Sequence, residues 1–295
     1  MVSHKERVLS TLRHLRTNVL PKGELFLPID LLDSYFPEQK GEHVKQLASV
    51  ARLFGLSLLG ADLGEERLYP LLVEKRFREL DQFFTVGCIE GPVSHMIGHL
   101  GFYEAMTSIR KNPHRLAELT VPLIKDIKKK CLLARDNGFC AVAVADDIAA
   151  NSGLLFSHAD FVDIALSLYR QIAQAVKSAG LLLFFHSDGN IRGIIRFLIE
   201  EGYDCIHPVD AQAGMYLYEM KQNFGKEVSF MGHIDIAAWN PKRISAEIAR
   251  AEGEFRNGGL ILGSSCGIAS DVSDEAVAIL YPDIKNRRGR GHGPT

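Results

Sequence analysis

No run in the chain approaches eighteen consecutive apolar residues, so a membrane-spanning helix is not expected. There is no long basic stretch either. Its 34 Lys and Arg stand against 36 Asp and Glu, a net charge of −2, which argues against electrostatic capture of nucleic acid. The basic cluster Lys285-Asn286-Arg287-Arg288-Gly289-Arg290 has glycine-rich neighbours and reads as a solvated terminus. The opening stretch, Met1 to Arg16, is charged throughout and lacks the apolar core of a signal peptide. The five cysteines form no tight framework. An odd number without a framework fits a reducing cytoplasm better than a disulfide scaffold. Repeats of roughly 20–50 residues are missing. No Gly-x-Gly-x-x-Gly follows the first apolar run, which counts against a dinucleotide-binding fold.

What is present is a succession of buried-looking elements. The chain has 295 residues, 46% of them hydrophobic, enough for one sizeable core. Eight short apolar runs, at 25–29, 56–61, 82–88, 139–145, 181–185, 205–208, 229–232 and 260–263, are rich in Leu, Ile, Val and Phe without alternation. Strands covered on both faces in a parallel sheet look this way. Helical spacing separates many of them. Phe161, Ala165, Leu168, Ile172 and Val176 form one apolar stripe, stopped at Gly180. Ile124, Ile127, Cys131 and Ala134 form another, and further helices are expected at 191–201, 215–223 and 241–256. The stretch 64–81 is the least regular, with a short or broken crossover helix expected there. Strands alternating with helices predict an α/β fold, a (β/α)8 TIM barrel forming one domain over residues 1–295.

Such barrels carry their chemistry where the strands end. Here each apolar run is followed by an acid, an imidazole or a thiol: Asp30, Asp62, Glu90, Asp146 with Asp147, His186 with Asp188, Asp210, His233 with Asp235, and Cys266. Any one acid could be an ordinary helix cap, but a whole ring of unpaired carboxylates would repel itself and calls for a cation, a basic partner group or a polar substrate. In Phe184-Phe185-His186-Ser187-Asp188-Gly189-Asn190 an imidazole and a carboxylate two residues on emerge on the same side, beside a glycine that permits close backbone approach. The candidate catalytic residues are His186, Asp188, Asp147, Asp210 and Asp235, with Asp30, Glu90, Asn190, His233 and Ser265 as candidate substrate contacts. Ser265 belongs to Gly263-Ser264-Ser265-Cys266-Gly267, a small-residue turn suited to cradling an anion. Cys88 is a weaker thiol candidate than Cys266, whereas Cys131, Cys140 and Cys205 read as core. His207, inside a run and before Pro208, reads as a buried structural residue.

These segments resemble the uroporphyrinogen decarboxylase superfamily, which includes that decarboxylase and the cobalamin-dependent methyltransferases. The resemblance runs through Glu6-Arg7-Val8-Leu9, Gly91-Pro92, Asp146-Asp147-Ile148-Ala149, His186-Ser187-Asp188-Gly189-Asn190, His207-Pro208-Val209-Asp210, Gly232-His233-Ile234-Asp235 and 259–267. The decarboxylase proper carries an arginine-bearing amino-terminal run, whereas Leu25-Phe26-Leu27-Pro28-Ile29-Asp30 has no arginine. The methyltransferase branch holds zinc with a His-x-Cys pair and a distant Cys. By resemblance His186 and Cys266 match the first and last of these, and Asp188 replaces the middle one. A His186, Asp188 and Cys266 zinc site is chemically competent but harder than the usual one. The resemblance implies a methyltransferase that moves a methyl group between a small-molecule donor or acceptor and cobalamin. No Asp-x-His-x-x-Gly segment is present to bind that cofactor, so it would come from a separate corrinoid protein. The alternatives are a decarboxylase or lyase of a small acid, and a non-catalytic companion of a corrinoid protein.

Overall fold

The computed structural model describes residues 2–265, 267–268 and 272–284. Eight parallel strands form the central sheet: β1 (Gly23–Glu24), β2 (Leu58–Asp62), β3 (Phe84–Glu90), β4 (Ala141–Ala145), β7 (Leu182–His186), β8 (Cys205–His207), β9 (Ser229–Ile234) and β10 (Leu260–Ser264). They lie side by side in chain order. A small antiparallel hairpin, β5 (Ala149–Ala150) with β6 (Gly153–Leu154), stands above β4. The sheet comes round on itself where Lys22 bridges Leu262 and the Leu262 amide donates to the Pro21 carbonyl at 2.9 Å. This is the expected (β/α)8 barrel.

The first strand differs from its expected place. Only Gly23–Glu24 pair with β2, and by Ile29 the chain has begun the helix Ile29–Tyr35. The intervening Phe26 meets the rings of His186 and His207 instead of extending the strand. With so little ladder at the closing seam, a side chain takes over. Glu24, fully buried, accepts hydrogen bonds from the Ser264 amide and hydroxyl, both at 2.8 Å, and from the Tyr281 hydroxyl.

Two apolar layers flank the strands. The inner one is small and fills the barrel with Leu58, Phe84, Phe184, Met231, Ile261 and their neighbours; Phe84 and Phe184 stack at 6.2 Å. The outer one packs strands against helices such as Pro113–Asp136, Leu166–Ser178 and Pro241–Glu254. The floor is covered by the helix His4–Leu12, started by a reciprocal cap between Ser3 and Glu6, which places Val8 in the inner layer. The expected irregular stretch is a chain of short pieces, Glu66–Leu68, Tyr69–Val73 and Arg76–Leu80. No helix among the described residues is long and apolar enough to cross a membrane.

Candidate active site

Strand alternation explains what reaches the mouth. Phe184 and Cys205 point into the barrel, so the residues two further on, His186 and His207, point the same way one layer higher. They are register partners across β7 and β8, and their Nδ1 atoms lie 2.8 Å apart. One of these nitrogens must donate and the other accept. Phe26 stands edge-on to His186, with centroids 4.8 Å apart. Above them, Nε2 of His186 faces two carboxylates, Asp147 Oδ1 and Asp188 Oδ1, each at 3.8 Å.

The loops that carry these acids are tied together. The Asp188 amide donates to Asp147 Oδ1 at 3.0 Å, and the Asp147 amide donates to the Ser94 hydroxyl at 3.0 Å. Two glycines permit the approach. A Cβ on Gly189 would fall 2.1 Å from the Ala149 carbonyl oxygen, and one on Gly91 would fall 2.2 Å from Cβ of Asp146. Asp146 itself is not at the mouth. It is fully buried and accepts from the amides of Val93 and Ser94, at 3.1 and 2.6 Å, and from the Tyr169 hydroxyl at 2.7 Å. It thereby caps the helix Pro92–Leu100, and burial pushes its carboxyl up to about 6 against those hydrogen bonds.

Charge is crowded here. Burial lowers the pKa of His186 against the pull of Asp188 and Asp147, and burial together with the neighbouring His186 puts His207 well below the ordinary range. Asp188 is raised, first by desolvation and then by Asp147, while His186 opposes. Asp210 is raised by desolvation and by the charges of Asp235 and Asp188, against the Gln212 amide that it accepts at 2.9 Å. Gln212 bridges this group, its side-chain amide donating to Asp235 Oδ2 at 2.5 Å, while Asp235 Oδ1 takes the Ala238 amide at 2.8 Å. The structure thus brings together His186, Asp188, Asp147, Asp210 and Asp235, with His207, Phe26 and Gln212 as further members.

Other expected positions lie elsewhere. His233 departs from the mouth because Gly232 and His233 both take left-handed φ angles, 98° and 89°, which break the alternation. Its ring packs on Tyr218 and Trp239, with Nε2 3.3 Å from Glu247 of the helix Pro241–Glu254. Glu90 is exposed at the end of β3 and paired with His95 at 2.8 Å. Asp30 is exposed in the first turn of Ile29–Tyr35. Asp62 lines a side pocket of about 250 Å³, with Phe26 and Arg67. Asn190 fastens its loop, its amide donating to Ala150 and its side chain accepting from the Arg192 amide. Ser265 is buried, with its amide on the Ile234 carbonyl. Cys88 is no free nucleophile: it is buried inside the barrel, and burial raises its thiol far above the ordinary range. Cys266 lies outside the described residues.

Three members of the group were not assigned to it from the sequence: His207, read as a buried structural residue and indeed buried, and Gln212 and Phe26. His207 could have been found by carrying the inward alternation on from Cys205. Gln212 and Phe26 had no such signal, because turns rather than strands deliver them.

Fold and site together define a (β/α)8 barrel with an ionisable site beyond the carboxyl ends of its strands. Residues 72–286 match the family model described as Uroporphyrinogen decarboxylase (URO-D), and the chain belongs to that family. Among curated proteins no sequence matches it. In structure it is similar to a methyltransferase from Methanosarcina mazei, with a TM-score of 0.76 and 19% identity over 98% of this chain and 100% of that one. It is also similar to Bacillus subtilis mannanase BCman, with a TM-score of 0.58 and 11% identity over 95% and 93% of the two chains. A D-psicose 3-epimerase from Clostridium cellulolyticum H10 follows at 0.52 and 8%, over 85% and 92%. At these identities the likenesses show the barrel fold.

Proposed function

We propose that this chain is a methyltransferase that exchanges a methyl group between a small molecule and a corrinoid held by a separate protein. The observation that carries the reading is the composition of the mouth. Asp147 and Asp188 face the His186 imidazole, Asp210 and Asp235 carry the negative charge on beyond Asp188, and among the described residues no Lys or Arg pairs with any of the four. A tetrapyrrole rich in carboxylates would be repelled by that mouth. A neutral or cationic methyl compound would not. The likeness to the Methanosarcina mazei methyltransferase supports the same branch of the family.

The chain's own residues divide the work. His207 holds the ring of His186, and Phe26 covers one edge of it, so Nε2 keeps its aim at the opening. The Asp147 and Asp188 loops, tied to each other, place two carboxylates over the same point. Fixing the reacting groups in line is the main service such a site can render to a displacement at a methyl carbon. Without a bound metal, Asp188, raised by desolvation, holds a proton more readily than an ordinary aspartate and can give it to the departing heteroatom. The donors also fit a zinc ion, since Nε2 of His186 makes no hydrogen bond among the described residues and faces two anionic oxygens. When bound, zinc would supply Lewis acidity toward a thiol, ether or amine.

The test pairs two assays on purified protein. Uroporphyrinogen should yield no coproporphyrinogen, and a reduced corrinoid protein should be methylated from a member of a panel of methyl thioethers, methyl ethers and methylamines. Porphyrinogen turnover overturns the assignment.

A further inference from the structure

At the floor of the barrel, the end away from the mouth, Arg16, Thr17, Asn18, Glu252 and Arg256 line a cavity of about 420 Å³. That is within the roughly 300–1,000 Å³ of small-molecule sites. Two segments that feed the closing seam meet there. One is the loop after the helix His4–Leu12, which runs through Pro21 and Lys22 into β1. The other leaves the helix Pro241–Glu254 and runs through Gly258 and Gly259 into β10. They are tied together, the Thr17 amide donating to the Arg256 carbonyl at 3.3 Å and the Gly259 amide to the Thr11 carbonyl at 2.8 Å. Gly258 permits the approach: its φ is 81°, and a Cβ there would fall 2.8 Å from the Thr11 carbonyl oxygen.

Two guanidinium groups border the cavity without a counter-charge. Arg16 and Arg256 are exposed, and among the described residues neither side chain forms an ion pair or hydrogen bond. Glu252, one turn before Arg256, could have paired with it but does not. Its negative charge acts on the half-buried Lys22 instead. The independent sign is a hydroxyl. Oγ1 of Thr17 is buried and has no hydrogen-bond partner. Buried hydroxyls are normally satisfied, so this one calls for a partner from outside the chain. Two cations, a hydroxyl and the Asn18 side-chain amide around one cavity suit a dianion. Guanidinium meets phosphate oxygens in pairs, whereas a single carboxylate would leave one arginine uncompensated. The carboxyl end of Pro241–Glu254 presents carbonyls and gives an anion no help, so the side chains must carry the recognition. A phosphate group would fill only part of the space, which leaves room for the organic part of an ester.

We propose that this floor cavity binds a small phosphate monoester, with Arg16 and Arg256 on the phosphate and the Thr17 hydroxyl donating to it. The site stands at the opposite end of the barrel from the acidic mouth and is independent of the methyltransferase reading. Its ligand braces the seam. Between β1 and β10 the structure has one bridge, Lys22 to Leu262, and a dianion held by an arginine on either side links the segment entering β1 to the segment entering β10.

Calorimetric titration of the purified protein with glycerol phosphate, inorganic phosphate and glycerol, at fixed ionic strength, tests it. Glycerol phosphate should bind one per chain, more tightly than inorganic phosphate, and glycerol should not bind. The thermal midpoint should rise with the logarithm of the glycerol phosphate concentration. Arg16→Ala and Arg256→Ala, both at exposed positions, should fold as the wild type does and each bind at least about tenfold more weakly, the loss of a charge-assisted hydrogen bond. Thr17→Val removes an orphan hydroxyl, so the free protein should be as stable as before or more so, while binding weakens by about threefold or more. A hydroxyl that served the fold alone would give the reverse, lower stability with unchanged binding. That result, binding untouched by both arginine variants, or no saturable binding would each overturn the proposal. Equal affinity for inorganic phosphate and glycerol phosphate would overturn the assignment to an ester.

Discussion

Replacing Glu24 with Gln should make the stability of the barrel less dependent on pH. Glu24 sits at the seam where β1 is too short to pair fully with β10, with three donors aimed at its carboxyl. Burial nevertheless dominates and raises it from 4.5 to about 7. Its folded pKa lies above its unfolded one, so the protonated form favours folding. That stabilisation is complete below about pH 4.5 and is lost as pH rises through about 7. At 1.36 kcal/mol per pKa unit the rise is worth about 3 kcal/mol. Gln keeps the size and hydrogen-bonding capacity of the neutral acid without its ionisation. Urea unfolding of both proteins from pH 4 to pH 8 isolates the effect, because other buried acids, Asp146 among them, cancel in the difference. Relative to wild type, Glu24→Gln should gain about 3 kcal/mol between the two ends of the range. Parallel profiles would show that Glu24 ionises at no cost, and the seam argument would fail.

Other expectations follow from the supports of the mouth. Tyr169→Phe deprives buried Asp146 of one of its three hydrogen bonds and should lower unfolding free energy by about 1–2 kcal/mol, read by denaturant midpoint; an unchanged midpoint would mean that the hydroxyl is not needed there. Gly189→Ala drives a methyl into the Ala149 carbonyl and should cost about 1–3 kcal/mol while displacing the Asp188 loop. Its signature is a lowered denaturant midpoint together with a shifted amide signal of Asp188, whose N–H donates to Asp147, and an unchanged midpoint and signal would contradict it.

Much of this was legible beforehand, for stated reasons. Strands buried on both faces reveal themselves as continuous apolar runs, so β2, β3, β4, β7 and β10 fall close to their expected places. β1 was misplaced because Leu25–Leu27 are as apolar as any strand, yet Phe26 serves the mouth and the ladder ends before it. The carboxylates of the site were visible because polar residues just past a barrel strand have few other destinations. His233 escaped that logic through a backbone kink that no composition or spacing signals. His207 was underrated for the opposite reason: a histidine inside a buried run looks structural until its neighbour across the ladder proves to be another imidazole. Asp146 and Asp147 are adjacent and chemically alike, but one caps a helix in the dark and the other faces the opening; only packing separates them.

The central claim is that this acidic mouth moves methyl groups to or from a corrinoid. Its most direct test is the absorbance of methylcobalamin, followed while the protein is given a panel of small thiols, with His186→Ala as the control. The account predicts loss of the methylcobalamin spectrum with at least one thiol, at a rate proportional to wild-type protein and at least about 100-fold slower with His186→Ala, as expected when a group that orients or activates the reacting atoms is removed. No change with any thiol, alongside release of carbon dioxide from a small carboxylic acid, would contradict it.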